Sequence, residues 1–412
     1  MLPGIVMIRV IIRLHMNTTR RFFAASGLVL ILFISVACRM GIASAPPLVQ
    51  STSTASALHS LIPAQASPTK ALPILPTFTA APANTPTPFF QVEIQQGKIT
   101  SQALAGNLLR DPKTRDFYVL LPPGYATHLK RYPVVYVLHQ FGGTAETYVA
   151  GMKKAYESAL SKGQVQEMIL AFPDASNKLG GSWYHSSPTI GDYETYITKE
   201  FVDLIDARYR TIPDRNSRGI TGCSMGGIGA VHLALKYPRV FSVAAGVSGY
   251  YDKTLDPLLS EGVAKFKATP KDFTEFDKLP RSVRIEIAEA AGASPNPNNP
   301  PFFLDMPYQV VNSETQVVQS VIDKETAMDP LHDAMNYLKQ TVHLRGLMIY
   351  HGINDPLLPV ETARAFDKEL TKLGIPHDYL EVDGGHCDLD FGPVLKFESD
   401  TLSFKVAPTP AP

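Results

Sequence analysis

Residues 218–236 contain the pattern that most constrains how this chain can fold. A short apolar run ends at Thr221, the sequence Gly222-Cys-Ser-Met-Gly226 follows, and a helix-forming run extends from Ile228 to Lys236. A G-x-S-x-G sequence between a strand and a helix is typical of a nucleophile elbow, a turn so tight that the positions flanking the serine must be small. The pattern therefore predicts that Ser224 projects from the end of a strand, where the free N–H groups of the following helix can stabilise an anion.

Apolar runs and helix-forming segments alternate on both sides of this pattern. Continuous or alternating apolar runs predict strands, whereas apolar residues at helical spacing predict helices. The strands are expected at 116–121, 132–139, 168–172, 243–246, 347–351 and 378–382, and the helices at 193–208 and 361–373. Strands that alternate with helices predict an α/β protein with a doubly wound, mostly parallel sheet.

The alternation stops after Tyr251 and resumes near Gln340. A stretch rich in proline and asparagine, residues 295–301, lies inside that interval. We interpret residues 252–340 as a cap inserted beside the functional site. A surface elaboration without a role in catalysis is the alternative that the sequence leaves open.

The first 45 residues predict an export signal. Two arginines, Arg20 and Arg21, precede an apolar run from Phe22 to Ala37, and Cys38 follows that run. The run has about 16 residues, whereas a membrane-spanning helix needs about 20. The segment resembles a bacterial lipoprotein signal, in which Cys38 would be lipidated. Cleavage without lipid and an uncleaved anchor are the alternatives.

Residues 46–89 are rich in proline, threonine, serine and alanine and have almost no charge. Such a composition cannot form an apolar core and is typical of an extended, disordered linker. The folded α/β domain is therefore expected at 90–406, and its length is ordinary for one domain of this class.

The distribution of charge argues against a nucleic-acid partner. The chain has 38 basic and 38 acidic residues, but no acidic residue precedes Glu93. Six of the basic residues lie before Glu93, which leaves 32 basic and 38 acidic residues in the rest of the chain. A surface that binds phosphates must be basic, so the predicted folded domain is unsuited to nucleic acid.

Serine becomes a strong nucleophile only when a base accepts its proton, and the base needs an acid to orient it. In α/β hydrolases these partners follow the serine in the order acid and then histidine, each on a loop after a strand. Asp355 follows the strand predicted at 347–351, and His386 follows the strand predicted at 378–382. These two residues are therefore the predicted acid and base.

Other residues compete for these roles. Asp383 lies on the same loop as His386 and is the rival acid. His232 lies on the helix after the elbow and His351 lies at a strand end, so neither fits the expected order. The remaining competing histidines are His139, His185, His332 and His343.

Acyl transfer also needs two N–H donors for the oxyanion that develops on the substrate. The amide of Met225, directly after the predicted nucleophile, is the first candidate. The second is expected on the loop at 139–143, where the amide of Phe141 is the predicted donor. An ordinary turn at Gly142-Gly143 is the alternative.

Three side chains near this sheet edge are predicted to contact the substrate: Gln140, Trp183 and Tyr184. Trp183, the only tryptophan, follows the third predicted strand. Aromatic rings in such a place can stack on a phenolic or sugar group. Burial of the aromatic residues in the core is the alternative.

Several stretches of the sequence together resemble a known enzyme family. They are Pro133–His139, Tyr196–Phe201, Gly222–Gly227, Tyr237–Phe241 and Ser248-Gly249. The match runs from roughly residue 116 to residue 386 and is weakest through the insertion. The chain is similar to the esterase family of α/β hydrolases that includes feruloyl esterases, esterase D (S-formylglutathione hydrolase) and the mycolyltransferases.

This resemblance implies an α/β-hydrolase fold and acyl-ester chemistry. It also implies that Ser224 is the nucleophile, Asp355 the acid and His386 the base. The oxyanion donors that it implies are the amides of Met225 and Phe141.

The sequence departs from the family at Gln140, where a glycine is usual, and at Cys387–Asp390, where aromatic residues commonly follow the histidine. Cys223 precedes the nucleophile and Cys387 follows the base. This resembles the Cys-Ser…Asp…His-Cys arrangement of tannases and some fungal feruloyl esterases, in which a disulfide joins the two loops. The resemblance implies a Cys223–Cys387 disulfide, which an exported protein can form. Two free buried cysteines are the alternative.

Together these features predict an exported serine carboxylic-ester hydrolase that works through an acyl-enzyme on Ser224 without a metal or cofactor. Export favours an extracellular substrate such as an acylated or feruloylated carbohydrate, with membrane attachment through a lipid on Cys38. An acyltransferase that uses the same triad and a catalytically silent surface-binding module are the alternatives. The acid and alcohol parts of the substrate and the oligomeric state are not predicted.

Overall fold

The computed structural model of the protein describes residues 91–405, so the predicted export signal and linker lie outside the described residues. Eight strands of the described part form one sheet in the order β1-β2-β4-β3-β5-β6-β7-β8. They are β1 (Glu93–Thr100), β2 (Thr114–Leu121), β3 (Val134–Leu138), β4 (Ile169–Pro173), β5 (Arg218–Cys223), β6 (Val243–Val247), β7 (Gly346–Gly352) and β8 (Asp378–Val382).

The sheet is mostly parallel, as predicted. Only β2 runs against its two neighbours, β1 and β4, and the other adjacent pairs are parallel. All residues of β3, β4 and β6 are buried, because both faces of a parallel sheet are covered by helices. The edge strand β1 was not predicted, since its sequence is mainly polar and most of its residues are exposed or half-buried.

Eleven α-helices accompany this sheet in the described residues. They are α1 (Ala145–Ser161), α2 (Tyr193–Thr195), α3 (Val202–Arg208), α4 (Met225–Lys236), α5 (Pro257–Lys265), α6 (Phe273–Phe276), α7 (Arg281–Ala293), α8 (Gln319–Thr326), α9 (Pro330–Tyr337), α10 (Val360–Leu373) and α11 (Gly392–Thr401). Helices α1 and α11 contribute to the core on one face of the sheet, and α3, α4 and α10 contribute to the core on the other. No helix within residues 91–405 is long and apolar enough to cross a membrane.

Two helices differ from their predicted bounds. Helix α4 begins at Met225, three residues before the predicted start, because glycines at positions 226 and 227 hide the helical signal. The helix predicted at 193–208 is interrupted by a π-helical segment, Tyr196–Phe201, between α2 and α3.

The cap segment (residues 252–340) lies between β6 and β7, and it contains α5 to α9 and a small hairpin formed by Tyr308–Val311 and Glu314–Val317. Its apolar residues share one core with the sheet. Leu258, Ile287 and Tyr308, for example, belong to the same buried cluster as Ile220 of β5. The insertion is therefore packed into the main domain.

A buried lysine connects three parts of the cap segment. The ammonium of Lys253 lies 3.0 Å from Asp256, 2.9 Å from Glu286, 2.7 Å from Glu289 and 3.3 Å from Glu325, and the lysine is fully buried. Burial raises the pKa of Glu286 above its ordinary value. Burial alone would lower the pKa of Lys253, but attraction by the surrounding carboxylates outweighs it and raises that pKa. Lys253 is therefore the cation that holds the α5, α7 and α8 regions together.

Lys253→Met should destabilise the protein strongly, because it leaves several buried carboxylates without their cation. The expected loss in the free energy of unfolding is about 3–5 kcal/mol. Denaturant unfolding measures this loss. The matched control is Lys265→Met, which removes an exposed lysine paired with Glu261 and should change stability by less than about 0.5 kcal/mol. Equal unfolding midpoints for the two variants would contradict the anchoring role.

Candidate active site

The turn between β5 and α4 has the geometry that the sequence predicts. Ser224 adopts φ 56° and ψ −125°, a conformation that costs a residue with a side chain about 1–3 kcal/mol. Its amide donates to the carbonyl of Val247 at 2.9 Å, which fixes the turn against the neighbouring strand. A Cβ atom at Gly226 would collide with the carbonyl oxygen of Leu138, so only glycine fits there.

The predicted acid and base contact each other. Nδ1 of His386 lies 2.8 Å from Oδ2 of Asp355, and the other carboxylate oxygen accepts the amides of Leu357 and Leu358 at 2.9 and 2.8 Å. Burial disfavours the charged form of Asp355, but the hydrogen bonds from His386 and the two amides outweigh it and lower the pKa. The carboxylate of Asp355 therefore stays ionised over the pH range in which histidine side chains ordinarily titrate.

The second ring nitrogen of His386, Nε2, is buried and has no hydrogen-bond partner among the described residues. The hydroxyl of Ser224 is therefore not hydrogen-bonded to it in this structure. Such bonds are often long without substrate and shorten when substrate binds. The free nitrogen is available to accept a proton.

A disulfide joins the two loops that carry Ser224 and His386. It links Cys223 to Cys387, with a Cα–Cα distance of 5.9 Å. The bond confirms the predicted pairing and excludes the two free cysteines that were the alternative. Since each cysteine is the immediate neighbour of a predicted triad residue, the bond holds the base loop next to the nucleophile turn.

The competing residues have other partners. Asp383 accepts a hydrogen bond from Asn354 at 2.6 Å on the protein surface. Nε2 of His351 lies 2.8 Å from the carbonyl oxygen of Leu358. Both ring nitrogens of His139 contact backbone atoms: Nδ1 lies near the carbonyl of Gln140, and Nε2 accepts the amide of Ala175. Nδ1 of His351 is also unpartnered, but its Nε2 lies 3.5 Å from Asp355 and is taken up by Leu358. Of the three histidines His139, His351 and His386, only His386 combines a hydrogen bond to a carboxylate with a free ring nitrogen.

The predicted oxyanion loop is held in place by backbone hydrogen bonds. The amide of Gly142 donates to the carbonyl of Gly180 at 2.8 Å, and the amide of Gly143 donates to the carbonyl of Gln140 at 3.0 Å. The amide of Phe141, directly before Gly142, donates to no acceptor in residues 91–405. Met225 is the first residue of α4, where N–H groups have no intrahelical partner. Both amides are thus free to bind an oxyanion.

Comparison with known proteins agrees with this architecture. The family described as "Putative esterase" matches residues 112–397, which is more than half of the chain. The chain belongs to this family. A solved structure named as a ferulic acid esterase is 21% identical and superposes with a TM-score of 0.51, covering 76% of this chain and 100% of that one. Together with the sheet order, this likeness establishes the α/β-hydrolase fold.

Two curated relatives match shorter segments. A Bacillus subtilis protein, YbbA, is 29% identical over 155 residues, which are 33% of this chain and 57% of the relative. A Mycobacterium tuberculosis esterase is 32% identical over 139 residues, which are 32% of this chain and 28% of the relative. The chain therefore matches less than two thirds of the length of either relative.

The three residues predicted to contact the substrate differ in how deeply they are buried in this esterase-family chain. Tyr184 is completely buried and its hydroxyl donates to the carbonyl of His139 at 2.9 Å, which argues against direct contact with substrate. Trp183 is only 2% exposed, and its ring packs against Phe141 at a centroid distance of 5.6 Å. Both aromatic residues support the oxyanion loop from the core. Gln140 is half-buried on that loop, and substrate contact stays a prediction for it.

The sequence did not reveal two residues that support the site, Tyr250 and Glu289. Tyr250 accepts a hydrogen bond from the Trp183 indole at 3.2 Å and donates to Glu289 at 2.6 Å. It therefore connects the aromatic support of the oxyanion loop to the Lys253 cluster. No spacing rule identifies such a path, because its members come from three distant segments.

Replacing both Cys223 and Cys387 by alanine should lower the free energy of unfolding by about 2–5 kcal/mol, since the bond closes a long loop in the unfolded chain. The two residues are 164 positions apart. Denaturant unfolding is measured for the double variant and for the wild type treated with reductant. The reduced wild type loses only the bond, whereas the variant also loses both thiol groups, so the two effects can be separated. Both samples should lose a similar amount, whereas unchanged stability in both would contradict a structural role for the bond.

Proposed function

We propose that this protein is an exported serine esterase that hydrolyses carboxylic esters through an acyl-enzyme on Ser224. The observation that carries the proposal is the His386–Asp355 hydrogen bond of 2.8 Å, with the opposite ring nitrogen unpartnered and the base loop joined to the strained serine turn by the disulfide. Membership of the esterase family supports the same chemistry.

In the first step, Nε2 of His386 accepts the proton of the Ser224 hydroxyl as Oγ attacks the ester carbonyl carbon. The carbonyl oxygen becomes an oxyanion, which accepts hydrogen bonds from the amides of Phe141 and Met225. Donors fixed before the reaction stabilise such a charge without reorganisation, and removal of one donor typically costs about 10²–10³-fold in rate.

The imidazolium formed on His386 is stabilised by the ionised carboxylate of Asp355. As the tetrahedral intermediate collapses, the bond to the alcohol oxygen breaks and Nε2 returns the proton to that leaving alcohol. A water molecule then repeats the sequence: His386 takes its proton, its oxygen attacks the acyl carbon, and Ser224 leaves with the proton restored.

Two clefts adjoin the proposed site. One of about 380 Å³ lies beside the base loop, with Cys387 at its edge. Its apolar and aromatic lining comes from Tyr148, Met152, Leu389 and Phe391, and Lys154, Ser158 and Asp390 add polar groups. Apolar and aromatic linings of this size are typical of small-molecule sites. This cleft is suited to an aromatic or aliphatic part of the substrate, which is consistent with the likeness to a solved ferulic acid esterase.

The second cleft, of about 530 Å³, lies along the outer side of the oxyanion loop and includes Gln140 and Gly143. Arg281 and Arg284 also line it, and no acidic residue does. Arginines and backbone groups are suited to the hydroxyl and acidic groups of a carbohydrate. We therefore assign a feruloylated or otherwise acylated carbohydrate as the substrate class.

The proposed lipid attachment rests on the sequence alone. Cys38 and the apolar run before it lie outside the described residues. The disulfide supports export, because such bonds persist in oxidising compartments.

Ser224→Ala should abolish hydrolysis of a short-chain 4-nitrophenyl ester, with kcat/KM reduced by about 10⁴-fold or more. The matched control is Ser320→Ala, which changes an exposed serine at the start of α8 and should leave kcat/KM unchanged. Hydrolysis that persists in the Ser224→Ala variant would overturn the proposal, as would a wild type that is inactive on every ester tested.

Two neighbouring aspartates provide a matched test of the acid. Asp355→Asn should reduce kcat by about 10²–10⁴-fold, because an amide cannot hold His386 in the required tautomer. Asp383→Asn should change kcat by less than about threefold, since Asp383 bonds only to Asn354 among the described residues. The reverse ranking of the two variants would show that the acid has been assigned wrongly.

A further inference from the structure

A second group of buried polar side chains lies away from the proposed triad. His185 comes from the loop before α2, Glu194 from α2 and His232 from α4. They are 3%, 5% and 1% exposed. Nδ1 of His185 lies 3.2 Å from Nε2 of His232, and that nitrogen lies 3.6 Å from a carboxylate oxygen of Glu194. One possible ligand atom of each residue lies within 4.8 Å of those of the others.

Two of the three separations are close to those between the ligands of a tetrahedral metal ion. Zinc binds imidazole nitrogen and carboxylate oxygen at about 2.0–2.2 Å, which places neighbouring ligand atoms of a tetrahedron about 3.3–3.6 Å apart. The two measured separations, 3.2 and 3.6 Å, lie at or close to that range. Two histidines and one glutamate are also a known ligand set for zinc.

The ligand candidates are themselves held by further hydrogen bonds. The remaining ring nitrogen of His232, Nδ1, lies 2.5 Å from a carboxylate oxygen of Asp333 on α9. A metal-binding histidine almost always donates its second N–H to such a partner, which fixes its tautomer and its orientation. The hydroxyl of Tyr237 donates to the second oxygen of Glu194, which leaves the first oxygen facing His232.

We propose that His185, His232 and Glu194 bind a divalent transition-metal ion of the zinc type, with Asp333 as the residue that positions His232 and a water molecule as the fourth ligand. Three protein ligands and one water are the arrangement of an open zinc site. The site would join α2 and α4 to the loop that contains Tyr184, whose hydroxyl supports the oxyanion loop through His139. None of its residues belongs to the proposed triad, so it goes beyond the esterase function.

One cation already competes for this position. The ammonium of Lys236 lies 2.9 Å from the oxygen of Glu194 that faces His232. The Lys236 side chain is 42% exposed, so it can turn into solvent when a metal ion binds. Removal of that ammonium should therefore strengthen metal binding, which a purely hydrogen-bonded cluster would not show.

The test is a titration of the full-length chain, purified with an affinity tag that contains no histidine and freed of metal with a chelator. Co²⁺ serves as the spectroscopic probe and Zn²⁺ as its competitor. We expect one Co²⁺ per chain with the visible absorption of a four-coordinate site, displaced by Zn²⁺. His232→Gln or Glu194→Gln should remove that absorption, and Asp333→Asn should weaken binding about 10–100-fold. Lys236→Met should tighten binding.

His343→Gln is the matched control, because this exposed histidine lies outside the cluster and should leave binding unchanged. The wild-type titration decides the question even if a variant fails to fold. Absence of both visible absorption and a Zn²⁺-dependent rise in Tm would overturn the proposal. So would absorption that survives in both His232→Gln and Glu194→Gln, since the ion would then lie elsewhere, for example at Cys38. Ester hydrolysis is not the readout, so this result is independent of the proposed function.

Discussion

The covalent bond between Cys223 and Cys387 is the constraint on which the site depends. It joins the end of β5 to the loop after β8, two elements that are separated in the sheet by β6 and β7. Each cysteine has a predicted triad residue as its direct neighbour. The strained turn presents Ser224, and the bond keeps His386 within the same small volume. The carboxylate of Asp355 then sets the orientation of the imidazole. In the absence of the bond, that geometry would rest on loop packing alone.

A second level of support comes from buried polar groups. Lys253 gathers carboxylates from the α5, α7 and α8 regions, and Tyr250 connects that cluster to Trp183, which packs on Phe141. The cap segment is therefore coupled to the oxyanion loop through specific hydrogen bonds and one aromatic contact. Burying so much charge is costly, and a buried ionic cluster is weak evidence for stability in general. Its value here is positional, because each partner fixes the direction of the next.

Sequence patterns predicted the parallel strands well, because continuous apolar runs at 134–138, 169–173 and 243–247 leave few alternatives. They also led to the Asp355–His386 contact, since chain order limits where the acid and base can lie. The edge strand β1 was not predicted, because its half-exposed polar residues do not form the apolar pattern that indicates a strand. The polar networks around Lys253 and His232 were not predicted for another reason. Their members are distant in the chain, and only the packing of the folded protein brings them together. The burial of Tyr184 could likewise not be predicted from the sequence, because an aromatic residue after a strand fits equally well in a core and on a binding surface.

The most direct test of the account is to identify the residue that a serine-directed sulfonyl fluoride modifies. The full-length chain is treated with phenylmethylsulfonyl fluoride, digested, and mapped by mass spectrometry. The account predicts one adduct per chain, on the peptide that contains Ser224, and its slower formation when the disulfide has been reduced. Stoichiometric modification of a different serine, with hydrolysis lost in parallel, would contradict the claim that Ser224 is activated by His386 at this sheet edge.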